Sequence, residues 1–176
     1  MYKRQPSDTL QFVRTGRPNV LVCRTFSKIQ GLANLRIGYG LASEELVELL
    51  QKTREPFNTS GVAQAGALAG LLDEDHQQAT RELNKEGRDY LQRCFASLGL
   101  KYVPSYANFV LVKVGDGKAL FQALQQRGVI IRDMAAYGLP EWVRVTVGTM
   151  EQNTRFIREL NHFVAPPKTQ KVEKCH

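Results

Sequence analysis

One stretch limits this chain more than any other: Thr25-Phe26-Ser27-Lys28-Ile29-Gln30-Gly31-Leu32-Ala33-Asn34-Leu35-Arg36-Ile37-Gly38-Tyr39-Gly40. The apolar run Val20-Leu21-Val22-Cys23 before it predicts a strand buried on both faces of a parallel sheet. The alternation of Ile37, Tyr39 and Leu41 with small residues predicts a second strand over 36–42. Between them lies a glycine-punctuated loop carrying a lysine, two hydroxyls and an arginine. A lysine that condenses with a carbonyl must shed its proton near neutral pH, which burial and a nearby cation such as Arg36 both promote. The Thr25 and Ser27 hydroxyls and the Arg36 fork suit a phosphate, and Gly31, Gly38 and Gly40 let backbone pass close to a ligand. Together these groups suit a phosphorylated aldehyde. From spacing alone, a structural turn with an ordinary surface lysine and an ion-paired Arg36 is equally consistent.

The rest of the chain reads as alternating helices and strands, an α/β fold. Residues 1–18 hold no convincing periodic element. Ser43-Glu44-Glu45 offers an N-cap followed by acids, and Leu46, Val47, Leu49 and Leu50 line one face of the helix that Pro56 ends. Residues 62–72, rich in Ala and Leu with two glycines, predict a buried, closely packed helix. Asp75 to Leu98 is the longest helical pattern, with Ala79, Leu83, Tyr90, Leu91, Cys94, Phe95 and Leu98 on one face and Gly99 as C-cap. Strands are expected at Asn108–Val114, Val129–Arg132 and Trp142–Val147, and a helix at Lys118–Arg127 ending at Gly128. Thr149-Met150-Glu151-Gln152 has the capping-box form, opening a last helix with Phe156, Ile157, Leu160, Phe163 and Val164 on its apolar face. The second half thus reads β-α-β-β-α.

Composition closes off several classes of function. Of 176 residues, 43% are hydrophobic and 23% charged, an ordinary globular balance. No apolar run approaches the roughly 20 residues of a membrane span, and no signal peptide is visible. Three cysteines, Cys23, Cys94 and Cys175, form neither a C-x-x-C pair nor a metal-binding spacing and fit a reducing cytoplasm. The net charge of +7 gathers largely at the ends, at Lys3, Arg4, Arg14, Arg17, Lys168, Lys171 and Lys174, and reads as solvated termini. A nucleic-acid partner would require aromatics interleaved with a basic face, and no such cluster occurs. His76, His162 and His176 sit in helix or tail contexts and receive no catalytic role; Trp142, Tyr39 and Tyr90 read as core or interface.

The stretch T-F-S-K-x-x-G-L-A-x-L-R-I-G-Y-G resembles the lysine-site signature of the fold-type-I, class I/II aminotransferases. Within them the chain is most similar to the histidinol-phosphate aminotransferase family. Val129-Ile130-Ile131-Arg132-Asp133, Val143-Arg144-Val145-Thr146-Val147-Gly148-Thr149 and Ala107-Asn108-Phe109 match further segments of that family, so the resemblance runs from about Asn19 to Val164. It implies a pyridoxal 5'-phosphate cofactor carried by Lys28, with Thr25, Ser27 and Arg36 around its phosphate. It implies that Arg144 grips the acidic end of an amino-group donor. The strand pattern agrees, because Val143, Val145 and Val147 share one face while Arg144 and Thr146 point the other way. A local pair with Glu141 or Glu151 is the competing reading. Arg132 and Asn108 are the remaining substrate-binding candidates. A 2-oxo acid, 2-oxoglutarate, would be the second substrate, and relatives of this kind are usually homodimers.

Parts of the family pattern are absent. The resembled enzymes are much longer. Asp8 is the only aspartate ahead of Lys28, and Pro6-Ser7-Asp8-Thr9 lacks the D-E-A-Y form that supplies the partner of the cofactor's ring nitrogen. Met1 to Gln5 does not continue the pattern. The expectation is a C-terminal portion of such an enzyme: residues 1–80 from the large cofactor domain, 81–98 a connecting helix, 99–165 a small α/β domain, and 166–176 a disordered tail, with the isolated chain inactive. Rivals are an aromatic-amino-acid aminotransferase, a threonine-phosphate decarboxylase-like enzyme, and a non-catalytic α/β module.

Overall fold

A computed structural model describes residues 9–164; the proposed tail at 166–176 and Met1 to Asp8 lie outside the described residues. Backbone contacts divide the chain into two units, residues 1–80 and 81–176, with the division falling inside one long helix.

The first unit begins with a short helix, α1 (Leu10–Arg14), where the sequence showed no periodic element. Five residues are too few for an amphipathic pattern to register. Strand β1 (Val22–Thr25) and strand β2 (Gly38–Leu41) then pair antiparallel, from Val22↔Leu41 to Thr25↔Gly38. This corrects the expected parallel sheet. Parallel neighbours need a crossover, usually a helix, whereas residues 26–37 contain only a single 3-10 turn, Ala33–Leu35. Burial on both faces is also overturned, since Val22 alone of β1 is buried.

Helix α2 (Glu44–Thr53) starts as its sequence requires: the Ser43 hydroxyl accepts from the Leu46 N–H at 3.4 Å, and Glu44 and Glu45 occupy the first turn. Val47, Leu49 and Leu50, expected on a packed face, are exposed. Helix α3 (Gly61–Leu72) is capped by Ser60, which accepts from Ala63 N–H at 3.1 Å. Only Ala63 and Ala67 of α3 are buried, and Val62 and Leu72 are 73% and 75% exposed, so the expectation of a buried helix fails. Close packing does hold on one stripe. Ala63, Gly66, Ala67 and Gly70 follow the i, i+3, i+4, i+7 spacing of a single helix face. A Cβ at Gly66 would lie 3.3 Å from Leu35 Cδ1, and one at Gly70 would lie 3.1 Å from Gln30 Cγ. Small residues on α3 therefore seat the loop of residues 26–37.

Helix α4 (Glu74–Ser97) ends where Gly99 takes φ 69°. There the Leu100 N–H donates to Phe95 O at 2.9 Å, satisfying a carbonyl the helix leaves open. The second unit builds a four-stranded sheet in the order β3 (Tyr102–Val103), β4 (Phe109–Lys113), β6 (Trp142–Thr146), β5 (Arg132–Asp133), with every neighbouring pair antiparallel. Helix α5 (Gly117–Gln126) lies between β4 and β5 in sequence, and α6 (Met150–Leu160) follows β6. The two-residue β3 was not foreseen, so the order is β-β-α-β-β-α. The strand expected at Val129–Arg132 begins later, because Val129 N–H still donates to Leu124 O in the exit turn of α5.

Alternation on β4 and β6 sends Val110, Val112, Val143 and Val145 into one core with Leu91, Phe95, Leu124, Phe156, Ile157 and Leu160. All three helices thus contribute to the same face of the sheet, a two-layer α/β arrangement. Phe163, expected on the last helix's apolar face, lies past the helix end and is exposed. The capping box of α6 is present in full: the Gln152 N–H donates to Thr149 Oγ1 at 3.3 Å, and the Thr149 N–H donates to Gln152 Oε1 at 3.0 Å. Just beyond it, buried Asn153 accepts from Gly148 N–H at 2.9 Å and donates to Gly148 O at 3.0 Å.

Candidate active site

The first cluster belongs to the loop of residues 26–37. The Thr25↔Gly38 pair closes its base, so Thr25, Ser27, Lys28 and Arg36 all sit at one end of the β1–β2 ribbon. Phe26 anchors the loop: its ring is buried and lies 5.5 Å from that of Tyr39. Its N–H donates to Ile37 O at 3.3 Å and its carbonyl accepts from Leu32 N–H at 3.0 Å. These bonds fix the start and the middle of the loop around one buried ring.

The polar groups follow from that frame. The Thr25 hydroxyl donates to Ser27 Oγ at 2.9 Å, and the Ser27 N–H donates to Thr25 Oγ1 at 3.0 Å. This leaves the Ser27 hydroxyl proton free for a ligand. Lys28 opens a tight turn in which Gly31 N–H donates to Lys28 O at 2.9 Å. Lys28 is exposed, so the burial expected of it does not come from its own unit. Arg36 takes a left-handed backbone, φ 50°, directly after the 3-10 turn. A non-glycine residue there carries strain of roughly 1 kcal/mol. The Arg36 Nη1 donates to Ala33 O at 2.6 Å, using one of five N–H groups and leaving the others in solvent. An exposed amine, an uncommitted hydroxyl proton and a largely free guanidinium on one short loop are a donor set that fits a phosphorylated aldehyde.

The same loop contains features the sequence did not flag. His76 Nε2 lies 2.9 Å from Ile29 O, tying the start of α4 to the loop. Gln30 Oε1 is buried with no hydrogen-bond partner. An apolar groove of about 340 Å³ runs beside Phe26, Ile37 and Tyr39 along α3.

The second cluster lies in the other unit, on the sheet face opposite the core. Arg144 and Arg132 are register partners across β6 and β5. Opposed like charges on one face of a sheet are unfavourable without a counter-ion. Neither acidic neighbour considered for Arg144 supplies one. Glu141 pairs instead with Lys113 at 3.0 Å, and among the described residues Arg144 forms no ion pair. The Arg144 Nε is buried without a hydrogen-bond partner, and its guanidinium carbon lies 5.2 Å from the Phe109 ring centroid. Phe109, absent from the sequence-based candidates, is thus part of this cluster; the signal for it was its place on the outward face of β4. Asn108 is exposed at the start of β4, and its carbonyl accepts from Val147 N–H at 2.9 Å. The candidate residues therefore form two groups, Thr25, Ser27, Lys28 and Arg36 in one unit and Asn108, Arg132 and Arg144 in the other.

One buried acid completes the electrostatics of the second unit. Glu159 on α6 pairs with Arg127, Nε to Oε2 2.5 Å, and with Arg158 at 3.2 Å. The hydrogen bond from Arg127 holds its carboxyl below the ordinary value, against the opposing pull of burial. Among the described residues no group of three or more His, Cys, Asp or Glu could hold a metal ion, and no helix is long and apolar enough to cross a membrane.

The chain is similar to known proteins in sequence and in fold. The chain is 51% identical over 163 residues to the histidinol-phosphate aminotransferase of Akkermansia muciniphila, covering 93% of this chain and 45% of that protein. It is 50% identical to the histidinol-phosphate aminotransferase of Moorella thermoacetica, covering 90% of this chain and 41% of the relative. Among solved structures, the histidinol-phosphate aminotransferase of Sinorhizobium meliloti, in complex with pyridoxal-5'-phosphate, superposes with TM-score 0.72 at 30% identity over 84% of this chain and 41% of that one. The chain thus spans under half the length of these relatives. The fold is that of part of a fold-type-I aminotransferase. The family model for aminotransferase class I and II matches residues 3–160, and the chain belongs to that family.

Proposed function

We propose that this chain is the lysine-bearing portion of a pyridoxal-phosphate-dependent enzyme that moves the amino group of histidinol phosphate to 2-oxoglutarate. The observation that carries the reading is the loop of residues 26–37, closed at Thr25↔Gly38, which gathers Lys28, Ser27 and Arg36 at one ribbon end. Pyridoxal phosphate, when bound, supplies an aldehyde carbon and an electron-withdrawing ring. Ser27, through its free hydroxyl, and Arg36, through its unused N–H groups, would donate hydrogen bonds to the phosphate, while Thr25 fixes the Ser27 oxygen. Lys28 would offer its amine to the aldehyde carbon with loss of water; once the substrate's amine has displaced it, the freed Nζ would take the Cα proton and return it at the former aldehyde carbon.

Arg144 and Arg132, paired across the ladder without a counter-ion, serve the anionic end of the amino donor, and Asn108 flanks them. Because the chain spans under half of its relatives, we infer that it transfers no amino group alone and works as part of a longer polypeptide; the homodimer and the cytoplasmic location are proposed from the family resemblance alone.

The test is an amino-transfer assay with pyridoxal phosphate, histidinol phosphate and 2-oxoglutarate, run on the chain alone and on the chain fused behind the missing portion of the Akkermansia muciniphila relative. Turnover by the fusion and not by the chain supports the reading. A folded fusion that accepts an aromatic amino acid or threonine phosphate but not histidinol phosphate would reassign the substrate. Brisk turnover by the chain alone would refute the partial-enzyme reading.

A further inference from the structure

Arg144 is held on the open face of the sheet by something other than a carboxylate. Glu141, the acid on the turn before β6, is engaged by Lys113. What lies against it is the ring of Phe109, 5.2 Å from the guanidinium carbon. The ladder explains the contact. Phe109 pairs with Thr146 and Leu111 pairs with Arg144, so Phe109 and Arg144 are diagonal neighbours on one sheet face. Diagonal partners lie within reach of aromatic and long side chains. Val110 and Val112, alternating with Phe109, fill the core, so Phe109 is not needed there.

A ring and a carboxylate would hold the guanidinium in different ways. A carboxylate takes the N–H fork that an incoming anion needs. An aromatic face attracts the cation through its quadrupole and uses no N–H at all. The Arg144 Nε is already out of water and unpaired, which concentrates the solvent-facing donors at the two Nη groups.

We propose that Phe109 is a positioning residue: its ring fixes the Arg144 guanidinium with the Nη edge free to meet, beside Arg132, the anionic end of the substrate. The inference rests on the reading of Arg144 as an anion grip, and its test separates the two. Inorganic phosphate is titrated into the full 176-residue chain while the Arg144 Nε–H resonance is followed by NMR. Phe109→Leu keeps apolar bulk and removes the ring; Phe109→Trp keeps a ring. Phe109→Leu is expected to weaken phosphate binding about 3–10-fold and to abolish the ring-current displacement of the Nε–H resonance, and Phe109→Trp to restore both. A folded Phe109→Leu chain with wild-type affinity overturns the positioning role and leaves the Arg144 grip standing. Should Phe109→Leu fail to fold, a folded Phe109→Trp chain decides alone, retained affinity supporting the role and a matching loss overturning it. Wild-type phosphate affinity in Arg144→Ala would instead overturn the grip itself, and the positioning role with it.

Discussion

Arg132 and Arg144 stand directly opposite each other on the antiparallel β5–β6 ladder. Two guanidinium groups rooted at one register position repel each other, and such a pair lowers the stability of the sheet by a few tenths of a kcal/mol or more. Replacing Arg132 with Glu turns repulsion into attraction. The Arg132→Glu chain is expected to unfold at higher denaturant concentration, by about 0.2–1 kcal/mol, while its affinity for phosphate falls. A stability gain coupled to a binding loss marks a site kept for its ligand; a gain in both would contradict the anion-binding role.

Arg144→Ala is expected to cost more binding than Arg132→Ala, since Arg144 is the half-buried member with a donor already out of water. A charge-assisted bond is worth about 1.5–3 kcal/mol. Calorimetric titration with phosphate should therefore show a loss of roughly 10–100-fold for Arg144→Ala.

The turn between β6 and α6 is pinned by a buried amide against a helical glycine. A Cβ at Gly87 would meet Asn153 Nδ2 at 2.6 Å and Val147 Cγ1 at 2.7 Å. Alanine gains about 1 kcal/mol of helix propensity over glycine, but overpacking of this kind costs about 1–3 kcal/mol. Gly87→Ala should thus destabilise. Asn153→Ala leaves the Gly148 N–H and C=O without their partner and should cost about 1–3 kcal/mol. The double variant should cost less than the two single losses added together, because removing the amide makes room for the methyl group. Equilibrium denaturation of all four proteins measures this coupling.

Glu159 sets an acid limit. Its carboxyl titrates below the ordinary glutamate value in the folded chain, chiefly through the Arg127 hydrogen bond. A depressed folded value contributes stability that is present above the unfolded pKa and is lost as pH falls through the folded one. The wild-type unfolding midpoint should therefore fall as pH drops below about 4.5, and Glu159→Gln should be less stable near neutrality with a flatter acid limb. Identical acid limbs would show that Glu159 is not the group responsible.

Local chemistry was legible in the sequence wherever it depends on near neighbours. Ser43 stands at a helix start, Thr149 and Gln152 close their box, Gly99 ends α4, and the alternation of Val143 and Val145 around Arg144 is the observed one. The lysine loop also falls between two strands, as read. What escaped depends on partners distant in the chain. The apolar content of Val20–Cys23 and of α3 indicates how well each would bury, but not which part of the molecule does the burying, and α3 shows most of its apolar surface to solvent. Strand direction is set by what connects the strands, and a single 3-10 turn could not carry a parallel crossover. The Phe109–Arg144 contact needed the β4–β6 register, which no local pattern encodes.

The central claim is that Lys28, and not another amine, is the one offered to the cofactor's carbonyl. Incubating the chain with pyridoxal phosphate, reducing with borohydride and mapping the adduct by peptide mass spectrometry tests it directly. Modification concentrated on the peptide carrying Lys28, absent in Lys28→Ala and diminished in Arg36→Ala, is the predicted result. Modification spread evenly over the chain's lysines, unchanged when Arg36 is removed, would contradict it.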